Sequence, residues 1–346
     1  MHEFFKILEE KKPLVWGEIQ KYLTASKVPS KYENLRDFHL NLISDYPKRQ
    51  GKYVRPTLVL LMAEAMGVDP KKALKTAAAM QISEDWILIH DDWEDDSEER
   101  RGKPALHKIH YPELAINAGD SLHIIMWKIL MDNEKILGPQ KTFEIMEEFY
   151  KMLLRATIGQ TIEIKWTKEN KLDFTDEDYL FIVDGKTVYY TIAGPMRLGA
   201  LVAGAVKGQL DQIFEVAIPL GRCFQIKDDL LNLVGDRKKY GKEIGGDILE
   251  GKRTLMLGHL LRNANQEDRK RVEEILNRPR EKKTQEEAFE VIDLMKKHGS
   301  IEYGKKIAEK FANEALDKFE KLDFLKENEA KEQLRKGIDF MLNRDK

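Results

Sequence analysis

Apolar residues recur at helical spacing along nearly the whole chain, as in Leu58-Val59-Leu60-Leu61-Met62-Ala63 and at Phe143, Ile145, Met146, Phe149, Met152 and Leu153. A period of about 3.6 residues gathers such positions on one helix face, and the strict alternation of a half-buried strand is scarce. Turn-forming residues interrupt the pattern at Pro47, Gly51, Gly67 with Pro70, Gly102 with Pro104, Pro112, Gly138 with Pro139, and from Gly235 to Gly251. About a dozen helices are predicted between them. The segment from Asn263 to Glu287 is almost wholly polar and reads as surface helices joined by a loop at Pro279. The expected fold is therefore all-α, a single large helical bundle. Residues 1–346 are read as one domain, because no Gly/Ser-rich or Pro-rich linker divides them.

Two acidic clusters add chemistry to that pattern. His90-Asp91-Asp92-Trp93-Glu94-Asp95-Asp96 and Lys227-Asp228-Asp229-Leu230-Leu231-Asn232 each end an apolar helical run, and basic residues follow each. Asp91 and Asp95 lie four residues apart and so project from one face. Like charges placed this way repel and call for a cation. Hard oxygen ligands suit magnesium or manganese, and magnesium keeps waters and takes a few carboxylates plus phosphate oxygens. Helices from two halves of a bundle, facing each other across a central cavity, would suit two such sparse clusters. One acidic run alone is as readily a solvated helix end; two with the same preceding context change the balance.

Cations suited to phosphate lie nearby in sequence. Lys52 and Arg55 stand at a predicted helix start, where backbone N–H groups also favour anions. Arg100 and Arg101 follow the first acidic cluster, and guanidinium groups bind phosphate oxygens in bidentate fashion. Lys186-Thr187 lies inside an apolar run, where a buried lysine needs an anionic partner. Gly194-Pro195 shortly after is expected to kink or end that helix and to free backbone carbonyls. Gly241-Lys242, Gly245-Gly246-Asp247 and Gly251-Lys252-Arg253 form a glycine-rich, lysine-bearing stretch suited to closing over phosphates.

Bulk composition narrows the alternatives. Hydrophobic residues at 42% can supply a sizeable core, and charged residues at 34% imply solvated helix faces. A net charge of -2 gives no electrostatic footprint for nucleic acid. Cys223 is the single cysteine, so neither an internal disulfide nor a cysteine metal cluster can form, and a reducing cytoplasm is the expected location. No signal-peptide pattern is read, and charges interrupt every apolar run long enough to be a transmembrane candidate. A lipid-like substrate would be met at a membrane surface or in solution.

In the order and spacing of these motifs the chain resembles the trans-prenyltransferases, the isoprenyl diphosphate synthases of the farnesyl and geranylgeranyl diphosphate synthase family. Asp91, Asp92 and Asp95 match its first aspartate-rich motif, followed by Arg100, Arg101 and Gly102. Gly51, Lys52, Arg55 and Pro56 match its Gly-Lys-x-x-Arg-Pro, and Lys186 and Thr187 its Lys-Thr. Phe224, Gln225, Asp228 and Asp229 match Phe-Gln-x-x-Asp-Asp, and Gly241, Lys242, Asp247 and Ile248 match the later elements. Two positions depart: Asn232 stands where many members have aspartate, and Glu84 where members usually carry His or Gln touching isopentenyl diphosphate.

The resemblance implies an isoprenoid-synthase bundle, homodimeric in the family, in which Asp91, Asp95 and Asp228 hold about three magnesium ions on an allylic diphosphate, supported by Asp92, Asp229 and Asp247. Arg100, Lys186, Lys242 and Lys252 would add positive charge there, while Thr187 and Gln225 stabilise the allylic cation. Lys52, Arg55 and Arg101, with Glu84 beside them, would hold isopentenyl diphosphate; dimethylallyl, geranyl or farnesyl diphosphate would be the partner substrate. Trp86 lies five residues before Asp91, roughly 7.5 Å down the helix. With Ile87 it is expected to floor the growing chain and stop it at fifteen or twenty carbons. The competing readings are a class I terpene cyclase or head-to-head synthase, and a non-catalytic subunit of a heteromeric synthase.

Overall fold

The computed structural model describes residues 3–24, 27–235 and 243–342. The helical period is realised almost throughout. The first part of the chain forms α1 (Glu3–Gln20), α2 (Glu33–Arg49), α3 (Val54–Ala65), α4 (Leu74–Glu94), α5 (Pro112–Met131) and α6 (Pro139–Lys168). Next come α7 (Asp176–Val183), a π-helical stretch (Asp184–Ala193), α8 (Gly194–Ala203) and α9 (Lys207–Val234). After a short helical turn at Gly246–Glu250 follow α10 (Leu255–Asn263), α11 (Gln266–Leu276), α12 (Gln285–Lys297), α13 (Ser300–Glu320) and α14 (Glu329–Leu342). Among the described residues the only strand pairing is a two-stranded hairpin, β1 (Glu99–Arg100) against β2 (Lys103–Pro104).

Local chemistry accounts for most of the boundaries. Pro112 opens α5 at the first helical position, where its missing N–H costs nothing. Capping boxes start α7 at Thr175 with Asp178, and α12 at Thr284 with Glu287. The polar segment predicted around Pro279 is α11 followed by α12, with Val272, Ile275 and Leu276 as the buried stripe of α11. Three prolines fall inside helices. Pro47 lies within the last turn of α2, and Pro13 and Pro219 lie inside α1 and α9. At Gly194-Pro195, where a kink or an end was expected, the helix does not end: the π-helical stretch gives way to α8, which runs on to Ala203. The irregularity sits upstream, where wider π turns bring the Gly194 N–H to the Tyr189 carbonyl just before a proline that can donate nothing.

The described residues gather into two compact units. One comprises Met1–Tyr150, Pro195–Leu210 and Phe324–Lys336. Its axis is α4, packed by α1, α3 and α5, and the first half of α4, from Thr76 to Ser83, is buried on every side. An all-round buried helix needs no amphipathic stripe. The other unit comprises Lys151–Gly194, Asp211–Asp323 and Gly337–Lys346. There α10 and α12 pack on α13, and α9 buries Ile213, Val216, Ala217, Leu220, Cys223 and Ile226. No helix of the described residues is long and apolar enough to cross a membrane.

Candidate active site

Both acidic clusters occupy helix C-termini. Asp91 and Asp92 lie in the last turn of α4 and Asp95 is its C-cap, its N–H bonded to the Asp91 carbonyl at 2.9 Å. Asp228 and Asp229 lie in the last two turns of α9. Unpaired carbonyls make that end of a helix negative, so acids there destabilise it unless cations compensate. A local rule broken twice marks a functional position.

In the first unit Asp92 is fully buried and accounted for. Tyr46 Oη donates to its Oδ2 at 2.5 Å, Arg100 Nε lies 2.9 and 3.0 Å from its two oxygens, and Arg100 Nη2 closes the bidentate pair. Burial disfavours the charged guanidinium, but Asp92, then Asp91, outweigh it and raise the Arg100 pKa. Asp91 keeps 24% of its side-chain exposure, with its Oδ2 3.9 Å from Arg100 Nη2, and Asp95 is exposed. The hairpin turn aims the arginines. Arg101 and Gly102 both take left-handed φ, 53° and 73°, as a two-residue turn between antiparallel strands demands. Arg49 ties the hairpin to α2, donating to the Arg100 carbonyl at 3.0 Å while lying 4.6 Å from the Tyr46 ring centroid.

Arg101 turns the other way, toward the middle of α4. Its Nη1 donates to Asp85 Oδ1 at 2.9 Å and to the Tyr46 carbonyl at 3.0 Å, and its Nη2 is 3.5 Å from Glu84 Oε1. Arg55 Nη1 reaches Glu84 Oε2 at 3.1 Å. Lys52 is exposed, with its Nζ 5.7 Å from the Phe5 ring centroid. Arg55, Arg101 and Glu84 are thus brought together. Asp85, which no sequence motif singles out, joins them, and burial pushes its carboxyl up to about 6 despite Arg101.

The second unit repeats the plan. Asp229 is fully buried and accepts from Tyr179 Oη at 2.7 Å, Gln225 Nε2 at 2.8 Å and Lys252 Nζ at 3.0 Å. Thr187 Oγ1 donates to Gln225 Oε1 at 2.6 Å, which fixes both ends of that amide. Lys252 Nζ also lies 3.8 Å from Asp247, whose carboxyl is pushed up to about 7, chiefly by burial and, against the pull of Lys252, by Asp229. Asn232 anchors the turn that carries Asp247. Its Oδ1 accepts the Asp247 N–H at 3.1 Å, and its carbonyl accepts the Gly245 N–H at 2.7 Å. Lys242 lies outside the described residues.

Lys186 is not the buried lysine expected, since 30% of its side chain is exposed, but it does pair with an anion, Glu163 on α6. Burial disfavours ionisation of Glu163, but Lys186 and then Lys252 prevail and hold its carboxyl below the ordinary range. The approach depends on two glycines. A Cβ on Gly185 would meet the Arg155 carbonyl oxygen at 2.8 Å, and one on Gly159 would meet Lys186 Cγ at 3.1 Å.

Trp86 packs against rings from α5. Its centroid is 4.9 Å from that of His123 and 5.6 Å from that of His90, and Trp127 Nε1 donates to His123 Nε2 at 2.9 Å. That bond requires neutral His123, in line with a pKa lowered by burial. Ile87, beside Trp86, is partly exposed.

Among the described residues, no group of three His, Cys, Asp or Glu side chains is already arranged around one point for a metal ion. The accessible carboxylate oxygens of Asp91 and Asp95 in the one unit, and of Asp228 in the other, are hard donors of the kind that magnesium or manganese accepts.

With this geometry the chain can be placed among known proteins. The polyprenyl synthetase family model matches residues 38–295, and the chain belongs to that family. It is 34% identical to a short chain isoprenyl diphosphate synthase of Methanothermobacter thermautotrophicus over 85% of this chain and 87% of that one. It is 31% identical to a geranylgeranyl diphosphate synthase of Saccharolobus solfataricus over 84% of each. The structure of a geranylgeranyl pyrophosphate synthetase from Pyrococcus horikoshii superposes with a TM-score of 0.85 at 31% identity, over 99% of this chain and 98% of that one.

Proposed function

We propose that this protein is a prenyltransferase that joins an allylic diphosphate to isopentenyl diphosphate head to tail, giving an all-trans prenyl diphosphate of fifteen or twenty carbons, with residues 1–346 acting as one catalytic domain. The observation that carries this reading is the pair of acidic helix ends, each backed by a buried aspartate locked to a tyrosine and a cation. Magnesium, or manganese in its place, bound at Asp91, Asp95 and Asp228 would supply Lewis acidity to the leaving diphosphate.

The chain's own residues do the rest. Asp92 and Asp229 hold Arg100 and Lys252 in place, so that with Lys186 and Lys242 they offset charge building on the diphosphate as the carbon–oxygen bond breaks. Gln225, fixed between Thr187 and Asp229, and the backbone carbonyls of Lys186 and Thr187 face the allylic cation. Arg55 and Arg101, with Lys52 at the rim, hold isopentenyl diphosphate while its double bond attacks the cation. The new carbon–carbon bond forms, and the proton released on restoring the double bond passes to the departed diphosphate. Trp86, packed against His123 with the ring planes tilted, limits the length of the product. A cytoplasmic homodimer completes the reading.

The test is incubation of the purified protein with magnesium, isopentenyl diphosphate and each of dimethylallyl, geranyl and farnesyl diphosphate. Elongated diphosphates support the proposal. Hydrocarbon products would instead make it a cyclase, and silence relieved only by a second chain would make it a subunit. Trp86→Ala and His123→Ala should each lengthen the product on chromatography; unchanged lengths refute the floor.

A further inference from the structure

Glu84 sits among cations in a way that the proposed reaction does not require. Its side chain, 13% exposed, spans two guanidinium groups, with Oε2 3.1 Å from Arg55 Nη1 and Oε1 3.5 Å from Arg101 Nη2. Arg101 already has a partner carboxylate in the fully buried Asp85 at 2.9 Å, and a further acceptor in the Tyr46 carbonyl. Two carboxylates therefore meet two guanidiniums, and both arginines are engaged by carboxylates before any substrate arrives. A carboxylate held by guanidinium N–H groups makes the same charge-assisted bonds that a diphosphate oxygen makes.

We propose that Glu84 is a built-in competitor for the diphosphate of isopentenyl diphosphate: its carboxylate occupies the donors of Arg55 and Arg101, and the substrate binds by displacing it. The proposal deepens the prenyltransferase reading and rests on it for the identity of the substrate. Displacement costs the Glu84 contacts and leaves a like charge beside the bound anion, so both consequences weaken binding. The effect is confined to one substrate. Glu84 lies seven residues from Asp91, roughly 10 Å of helix rise, beyond contact with a diphosphate held at the end of α4.

Glu84→Gln keeps the size and removes the charge. It should lower KM for isopentenyl diphosphate about tenfold, leave KM for the allylic diphosphate unchanged, and tighten inorganic pyrophosphate in calorimetry without magnesium by a similar factor. Glu84→Ala should shift both quantities in the same direction, and thermal melting checks that each variant is folded. An unchanged or raised KM for isopentenyl diphosphate in both variants overturns the proposal, because Glu84 would then be holding Arg55 in place for the substrate. If the wild-type chain makes no elongated product, the prenyltransferase reading fails separately. Pyrophosphate calorimetry, which needs no turnover, still decides whether Glu84 withholds Arg55 and Arg101 from an anion.

Discussion

The C-terminal ends of α4 and α9 solve one electrostatic problem with different cations. Each carries adjacent aspartates at the negative end of a helix, and each buries the second aspartate under a tyrosine hydroxyl, Tyr46 on Asp92 at 2.5 Å and Tyr179 on Asp229 at 2.7 Å. Asp91 and Asp228 remain partly exposed. At α4 the cation is Arg100, which takes both oxygens of Asp92 in a planar fork. At α9 it is Lys252, a point charge 3.0 Å from Asp229 and 3.8 Å from Asp247, with Gln225 as a further donor. A fork fixes direction, whereas an ammonium on a flexible stem can be shared and redistributed. The first end is thus built for permanence and the second for adjustment.

The largest expected effects treat the two ends as equals. Asp91→Ala and Asp228→Ala should each lower kcat by about two to three orders of magnitude, as loss of a transition-state charge contact does. Urea unfolding should move by less than about 1 kcal/mol, because neither residue is fully buried. Single-turnover assays beside denaturation curves check both, and a variant with full kcat breaks the equivalence. The next effect separates the ends. Arg100→Ala leaves the buried Asp92 charge with the Tyr46 hydroxyl as its donor and should cost about 3–5 kcal/mol. Lys252→Ala leaves Asp229 with Tyr179 and Gln225 and should cost roughly 1–3 kcal/mol. Equal losses would mean that the fork confers nothing beyond its charge.

Why the aspartates were visible in the sequence and their anchors were not is a matter of range. Spacing within one helix places Asp91, Asp92 and Asp95, and apolar periodicity places the helices, because both are local. Tyr46 lies 46 residues from Asp92 and Tyr179 lies 50 from Asp229; only packing brings them together. Lys186 gave half a signal: a lysine in an apolar run demands an anion, yet nothing local singles out Glu163 on another helix. Asp85 was hidden beside the more conspicuous Glu84, and His123 looked like any histidine on an amphipathic helix. Pro195 did signal a disturbed helix. Local reasoning put the disturbance at the proline, whereas a π stretch with Gly185 against Gly159 absorbs it upstream.

The smallest effect concerns pH and distinguishes the units by their raised acids. Asp85 is pushed up to about 6 and Asp247 to about 7, each from an ordinary value of about 4. A carboxyl whose folded pKa is raised contributes stability that is complete below its unfolded pKa and is lost as pH climbs through the folded one. Stability should therefore decline between about pH 4 and 6 on account of Asp85, and between about pH 4 and 7 on account of Asp247, by at most a few kcal/mol each. Asp85→Asn and Asp247→Asn should each flatten one of these windows in denaturation curves taken across pH. Magnesium with pyrophosphate sharpens the contrast. A cation gathered at the end of α9 favours ionised Asp247 and contracts its window, whereas Asp85, set among Arg101, Glu84, Gln81 and Tyr53, gains no cation, so its window stays or widens. Contraction of both windows together would show that the adjustable charge is not particular to the α9 end.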